Sequence, residues 1–536
     1  MKGRKYMEAI YYNGRILTME GCENERYPQG LLVRNGKIAA LGEMQALQAQ
    51  APLAQLVDLE GHALLPAFID SHSHITGYAS TMGLVQLEGL NSFAALQQAI
   101  KAFLHANGVA PGKWVTGFGY DHNDFAQRCH PDRKVLDAVA PDIPVLITHK
   151  SGHMGVANTR ALELMGITAA TPDPEGGKIG READGKTPNG YLEETAFTTG
   201  TTAMPKPTLE DMLQALDAAQ EKYLSYGVTT MQDGLTRKGD WTLLQAAAEQ
   251  GRLKADVVSY IDENLEQALL ERETAYLGKY AGRLKIGGYK IFLDGSPQGR
   301  TAWMTQPYLG GEPGYQGYPV HSDDKVLAFV GAARERGIQL LTHCNGDAAA
   351  EQLLQAFEKT GGPTNTRPVM IHAQLLRPDQ LPRLAKLGMI ASFFVAHTYH
   401  WGDVHVQNFS MERAGCISPA HSALKTGVRF TFHQDTPVLP PNMLETVWCA
   451  AKRITKKGTV LGEQERITPY EALQAVTIQG AYQYFEENQK GTLTPGKLAD
   501  MVILSKDPTA CPLDEIPEIQ VLETIKEAKT VYRAQG

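Results

Sequence analysis

The chain has 536 residues, 43% hydrophobic and 21% charged, an ordinary globular balance in a chain too long for one hydrophobic core. A formal net charge of −8, with no dense Lys/Arg run, gives no footing for nucleic-acid binding. The basic start, Met1-Lys2-Gly3-Arg4-Lys5, is followed by no signal-like apolar stretch, and no segment is apolar for long enough to span a bilayer. The expected compartment is therefore cytoplasmic, with no membrane partner.

The first sixty residues read as short strands. Residues 9–12 run into Asn13-Gly14, a hairpin signal, and then 15–18; residues 31–34, Asn35-Gly36 and 37–40 repeat the pattern. The first strand of the central region is expected over 64–70. A long excursion follows, about residues 84–215, with its own helix (Phe93, Leu96, Ile100, Phe103) and strands at 114–117 and 144–148. An insertion of that size predicts a lid or subdomain, with the Gly/Pro/Asp/Lys-rich stretch 171–190 as its mobile piece. Thr208 is the expected N-cap of an amphipathic helix over 209–226, ended by Gly227, and a strand starts at Val228. The same helix–glycine–strand unit recurs at Gly337, Gly388 and Gly427, before strands at 338–343, 389–394 and 428–432. With 256–260, 286–292 and 369–372 this makes eight strands. Right-handed crossovers between them favour a TIM-type (β/α)8 barrel over an open sheet. Thr468-Pro469-Tyr470-Glu471 predicts a helix start with a capping box and carries no assigned chemistry. Strands at 499–504 and 530–532 match the β-rich start. The expected architecture is thus a small β-sandwich domain from 1–63 plus 488–536, and a catalytic barrel over 64–487 bearing the insertion.

Six scattered cysteines (22, 129, 344, 416, 449 and 511), with no CxxC pair, are expected to be reduced; Cys344 stands out because it follows His343. The chemistry-bearing residues lie at strand ends. In Asp70-Ser71-His72-Ser73-His74, residues two apart project from one face, so His72 and His74 can point together into a barrel mouth as ligands for zinc or a similar metal; two polar loop histidines are the plain alternative. His343 and His372 close their strands and Asp435 follows another, all at the end where this fold places its active sites. Lys290, inside an apolar strand, is costly to bury unless paired or neutralised. It either forms an ion pair, with Asp294, or carries a carboxylate from carbon dioxide and bridges two metal ions. Such a set predicts a metal-activated hydroxide, with Asp435 taking the proton of the attacking water and passing it to the leaving nitrogen.

These residues resemble the amidohydrolase superfamily, and within it the YtcJ-like branch, whose activities include N-substituted formamide deformylation. The resemblance spans nearly the whole chain. It rests on Leu64-Leu65-Pro66-Ala67-Phe68-Ile69-Asp70-Ser71-His72-Ser73-His74, with Ala67 where glycine is usual. It rests also on Lys290-Ile291-Phe292-Leu293-Asp294-Gly295-Ser296, Arg300-Thr301-Ala302, His343-Cys344-Asn345-Gly346-Asp347, Ile371-His372-Ala373-Gln374 and Gln434-Asp435-Thr436-Pro437-Val438. It implies metal ligands at His72, His74, Lys290, His343, His372 and Asp435, with Asp435 also catalytic, and two divalent ions: zinc, or manganese, iron or nickel in its place. It implies substrate contacts at Asp121, His153, Glu194, Arg300 and His397, with His400 in the same position as His397. The expected activity is hydrolysis of a non-peptide C–N bond in a small molecule. A deaminase of a cyclic amidine or aminated ring and a non-catalytic metal-binding regulatory protein stay open, as does a homodimer.

Overall fold

The computed structural model describes residues 8–21, 27–110, 112–264 and 266–535; the basic start and Cys22 lie outside them. The chain divides into two compact units, Met1–Tyr78 with Leu216–Gly536, and Ala79–Ala215.

In the first unit eight parallel strands follow one another in a single sheet: β1 (Phe68–Ile69), β2 (Val228–Thr236), β3 (Asp256–Asp262), β4 (Leu284–Phe292), β5 (Gln339–Cys344), β6 (Val369–His372), β7 (Ile390–Phe393) and β8 (Phe430–Phe432). Neighbours pair in chain order, as right-handed helical crossovers require. The sheet curls until its end strands approach: Ser71 Oγ–H donates to the Phe432 carbonyl at 2.9 Å, and the His74 N–H donates to the Thr436 carbonyl at 2.8 Å. Most strand residues are buried, which is why these segments read as apolar runs rather than alternating ones. Ile69, Val258, Tyr260, Leu341, Val369, Ile371 and Ile390 form one core cluster.

Two expectations change here. The strand over 64–70 is two strands: Ala63–Pro66 pairs antiparallel with Met501–Leu504, and only Phe68–Ile69 joins the curled sheet. An uninterrupted apolar run hides the handover, because both halves are buried. Asn13-Gly14 is a corner, not a hairpin: Glu8–Tyr12 pairs with Gly30–Arg34, whereas Arg15–Ile16 pairs with Ala63–Pro66 in another sheet. Asn13 adopts φ 56, and an αL residue followed by glycine turns a chain equally well between sheets. The Asn35-Gly36 hairpin forms as expected between Gly30–Arg34 and Lys37–Gly42. Thr468 and Glu471 form their reciprocal capping box, and Thr208 does the same with Asp211. A four-stranded and a five-stranded sheet, drawn from both ends of the chain, share one apolar cluster that includes Leu31, Val33, Leu64, Met501 and Ile525.

The second unit holds a six-stranded sheet of Leu84–Gln86, Val115–Tyr120, Val145–His149, Met154–Ala157, Pro188–Glu194 and Gly177–Arg181, in that spatial order. Its core gathers Val85, Leu96, Ile100, Val115, Phe125, Val145 and Ile147. The stretch 171–190 carries the strand Gly177–Arg181, which pairs antiparallel with Pro188–Glu194. Among the described residues no helix is long and apolar enough to cross a membrane.

Candidate metal centre

The C-terminal ends of the parallel strands bring six of the singled-out side chains together. His72 and His74 follow β1, Lys290 lies in β4, His343 in β5 and His372 closes β6, while Asp435 follows β8. The Nε2 atoms of His72 and His74 each lie 3.4 Å from Asp435 Oδ1. Lys290 Nζ is 3.1 Å from His72 Nε2, and His343 Nδ1 is 3.1 Å from His372 Nε2. His372 and Asp435 both take a left-handed backbone, φ 70 and φ 52, a conformation costly for a side-chain-bearing residue and concentrated where geometry is imposed by function.

Hydrogen bonding fixes which nitrogens face inward. Gln232 Nε2 donates to the Ser71 carbonyl at 2.7 Å and to Tyr484 Oη at 2.9 Å, so its Oε1, 2.6 Å from His72 Nδ1, accepts that proton. His72 Nε2 is left with a bare lone pair. His343 Nε2–H faces the Gly295 carbonyl at 3.2 Å, which leaves Nδ1 bare. Ser71 donates its proton to the Phe432 carbonyl, and Ser392 Oγ lies 3.3 Å from Ser71 Oγ and 2.9 Å from His433 Nδ1. His433 Nε2 lies 3.1 Å from His372 Nδ1, and His372 Nε2 lies 3.1 Å from the bare His343 Nδ1.

The electrostatics agree. Burial, with the nearby Lys290 ammonium next, drives His72 well below the ordinary histidine range and His343 down to about 4. Burial and the surrounding imidazoles do the same to His372, and His433 falls to about 3 through burial. These rings are neutral at pH 7. Burial also lowers Lys290 to about 7. Asp435 is pulled upward by burial but more strongly downward by His74, His433 and Lys290, and stays ionised.

Two features fit a metal cation. His343 Nδ1 and His372 Nε2 face each other at 3.1 Å, a spacing that two nitrogens held by one cation also take. Asp435 Oδ1 is buried without a hydrogen-bond partner among the described residues, an arrangement that costs about 1–3 kcal/mol or more for a charged group left so. One ligand atom each from His72, His372 and Asp435 lies within 4.8 Å of the others.

The remaining expected residues divide. Arg300 is committed to the protein: its Nε donates to Asn408 Oδ1 at 2.8 Å and its Nη1 to the Gly310 carbonyl at 3.0 Å. His397 is buried against Phe394, whose ring lies 4.6 Å from it and 5.2 Å from His433, and its Nδ1 is 3.1 Å from His405 Nε2. His400 Nε2 pairs with Glu445 at 2.7 Å. Asp121, His153 and Glu194 belong to the second unit; there His153 Nδ1 is 3.1 Å from Glu194 Oε2, both exposed, and Asp121 sits beside His122 and His149. Asp294 does not pair with Lys290: its carboxylate accepts the N–H groups of Trp303, Asn345 and Gly346 at 3.0, 2.9 and 2.7 Å. Sequence reasoning missed Gln232, Ser392 and His433. Only His433 carried a signal, standing two residues before Asp435 as His72 stands two before His74.

Comparison with known proteins places this arrangement. A sequence model described as the Amidohydrolase family matches residues 55–532. The chain is 29% identical to the N-substituted formamide deformylase of Arthrobacter pascens, over 99% of each chain. It is 30% identical to the protein LONG AFTER FAR-RED 3 of Arabidopsis thaliana, over 93% of this chain and 87% of that one. Among solved structures, an uncharacterized metal-dependent hydrolase from Pyrococcus horikoshii OT3 superposes with a TM-score of 0.74 at 26% identity, covering 95% of this chain and 99% of the other. With a family match that spans residues 55–532 and the whole curled sheet, the chain belongs to the amidohydrolase family and is a hydrolase.

Proposed function

We propose that the protein is a metal-dependent hydrolase of a non-peptide carbon–nitrogen bond in a small molecule, with N-substituted formamides the first substrate class to test. The observation that carries this reading is the set of inward-facing nitrogens of His72, His343 and His372 around the unpartnered Asp435 Oδ1. Such a donor set holds a divalent transition metal, zinc first among them. The substrate class comes from the deformylase relative of Arthrobacter pascens.

His72, His74, His343, His372 and Asp435 would hold one or two cations, joined by Lys290 once it carries a carboxylate. An ammonium 3.1 Å from His72 Nε2 would repel a cation there. Burial frees the amine instead, and a neutral amine can add carbon dioxide, lose a proton and become a carboxylate-bearing ligand. When bound, the metal supplies positive charge that polarises a carbonyl and acidifies water. Asp435 takes the proton from the attacking water as that water's oxygen bonds to the carbonyl carbon. The same carboxyl returns that proton to the leaving nitrogen as the C–N bond breaks. Gln232 and Gly295 keep the His72 and His343 imidazoles in one tautomer throughout, and His433 holds the His372 ring in place.

The test is elemental analysis of the purified full chain, with hydrolysis of a formamide, amide and ester panel followed before chelation, after it, and after zinc, manganese, iron or nickel is returned. Activity should vanish with chelation and recover with metal. Asp435→Asn should lower kcat by about 10³-fold, the middle of the range for a lost general base. A metal-loaded chain inert across the whole panel would overturn the reading.

A further inference from the structure

We infer that the second unit carries a cation site of its own, formed by Asp121 Oδ1, His122 Nδ1 and His149 Nε2, for a divalent transition metal such as zinc. None of these residues belongs to the centre described above.

The three atoms form a compact triangle. His149 Nε2 lies 3.4 Å from Asp121 Oδ1 and 3.4 Å from His122 Nδ1, and His122 Nδ1 lies 3.6 Å from Asp121 Oδ1. Every edge exceeds the about 2.7–3.2 Å of a well-formed hydrogen bond. A tetrahedral metal about 2.0–2.1 Å from each donor spaces its ligand atoms about 3.4 Å apart. The three edges match that face. The first centre shows the same 3.4 Å spacing between Asp435 Oδ1 and its two flanking imidazole nitrogens. Two histidines and one carboxylate are also a sufficient protein donor set, with a further position left for water.

The fold presents these atoms on rigid elements. Val115–Tyr120 and Val145–His149 are neighbouring parallel strands, with Tyr120 opposite His149 in register, and Asp121 and His122 follow the first strand directly. A cation here would clamp the ends of the two strands together. Each ring is held from behind. The Ser151 N–H donates to His149 Nδ1 at 3.1 Å and Ser151 Oγ lies 2.9 Å from the same nitrogen, which together hold that ring. His130 stacks on His122 with centroids 4.0 Å apart and is itself tied to Tyr120 Oη at 3.0 Å. The Asn123 N–H and Nδ2 donate to Asp121 Oδ1 at 2.9 and 3.1 Å and fix the carboxylate, while Lys150 pairs with its other oxygen. Asp121 and His149 are buried and His122 is 28% exposed, so an ion has a way in.

The experiment strips the full chain with a chelator and reloads it with cobalt(II), read by elemental analysis and by visible absorption. The wild type should bind one equivalent more than either His122→Ala or Asp121→Asn, and His153→Ala, an exposed histidine of the same unit, should keep the wild-type count. A His72→Ala, His122→Ala double variant should lose cobalt additively, because the donors are separate. Wild-type cobalt counts in both His122→Ala and Asp121→Asn would overturn the site. A second measurement needs no variant. In the wild-type chain, zinc should protect His122 from diethylpyrocarbonate several-fold by peptide mass spectrometry, and equal modification with and without zinc would overturn the proposal as well.

Discussion

At the scale of single residues, function rests on which nitrogen carries a proton, and the groups that decide this touch no substrate. Gln232 is the clearest case. It spends both amide protons on Ser71 and Tyr484 and so can only accept from His72 Nδ1. Gln232→Leu should let His72 flip tautomer and weaken metal affinity by about 10–100-fold, the usual effect of losing such a partner; competition against a graded chelator measures it. Glu263 poses a different residue-scale problem. Both its carboxyl oxygens are buried without a hydrogen-bond partner among the described residues, and burial lifts its carboxyl to about 8. The folded chain therefore holds a proton that the unfolded chain releases near the ordinary glutamate value of about 4.3. Between those two values folding stability falls as pH rises, since the native state binds the extra proton. Glu263→Gln removes that dependence. Its Tm should exceed that of the wild type by about 2–4 °C or more at pH 9 and match it near pH 5, which a thermal-melt series across pH will show.

At the scale of elements, loops between strands hold the site by satisfying backbone groups. The carboxylate of Asp294, just past β4, accepts three N–H groups, two of them in the turn after His343. That turn closes because Gly346 has no side chain: a Cβ there would sit 1.9 Å from the Trp303 carbonyl oxygen. Gly346→Ala must push the 294–303 loop away, tilt His343 and lower kcat by about tenfold or more, as small misplacements at reacting centres do; steady-state rates alongside metal content would separate tilting from metal loss. The elements also show what a sequence can and cannot convey. Strand-end placement of His72, His343, His372 and Asp435 is legible because parallel strands are apolar throughout, and a polar residue breaking such a run marks its exit from the sheet. The handover at Ala67 is illegible because hydrophobicity reports burial and not which sheet is doing the burying. Asn13-Gly14 misleads for the same reason, since the turn chemistry is right and the partner strand is wrong. Gln232 and Ser392 were beyond reach because their roles follow from neighbours more than 150 residues away in the chain.

At the scale of the whole molecule, the first unit is assembled from distant parts of the chain, and charge as well as apolar contact joins them. Asp256 opens β3 of the curled sheet; Lys526 closes Val521–Lys526 of a terminal sheet. Lys526 Nζ donates to Asp256 Oδ2 at 2.7 Å and to Asp500 Oδ2 at 2.6 Å, while Lys490 reaches Asp256 at 2.6 Å and Glu486 at 2.9 Å. All five groups are buried. Burial pushes Asp256 upward, yet Lys490 and Lys526 outweigh it and hold the carboxyl well below its usual range. Removing one partner from a buried network leaves an uncompensated charge, which costs about 3–5 kcal/mol, whereas the intact network adds far less than its Coulomb energy suggests. Lys526→Met should therefore destabilise the first unit by about that amount, and it should do so locally. Hydrogen exchange would speed up in Val521–Lys526 and Asp256–Asp262, the two strands the lysine bridges. The sheet of Ala79–Ala215, which shares no member of this network, should exchange as in the wild type. Equal acceleration in both units would mean that the chain unfolds as one cooperative body and that the ion network is not where its first unit is joined.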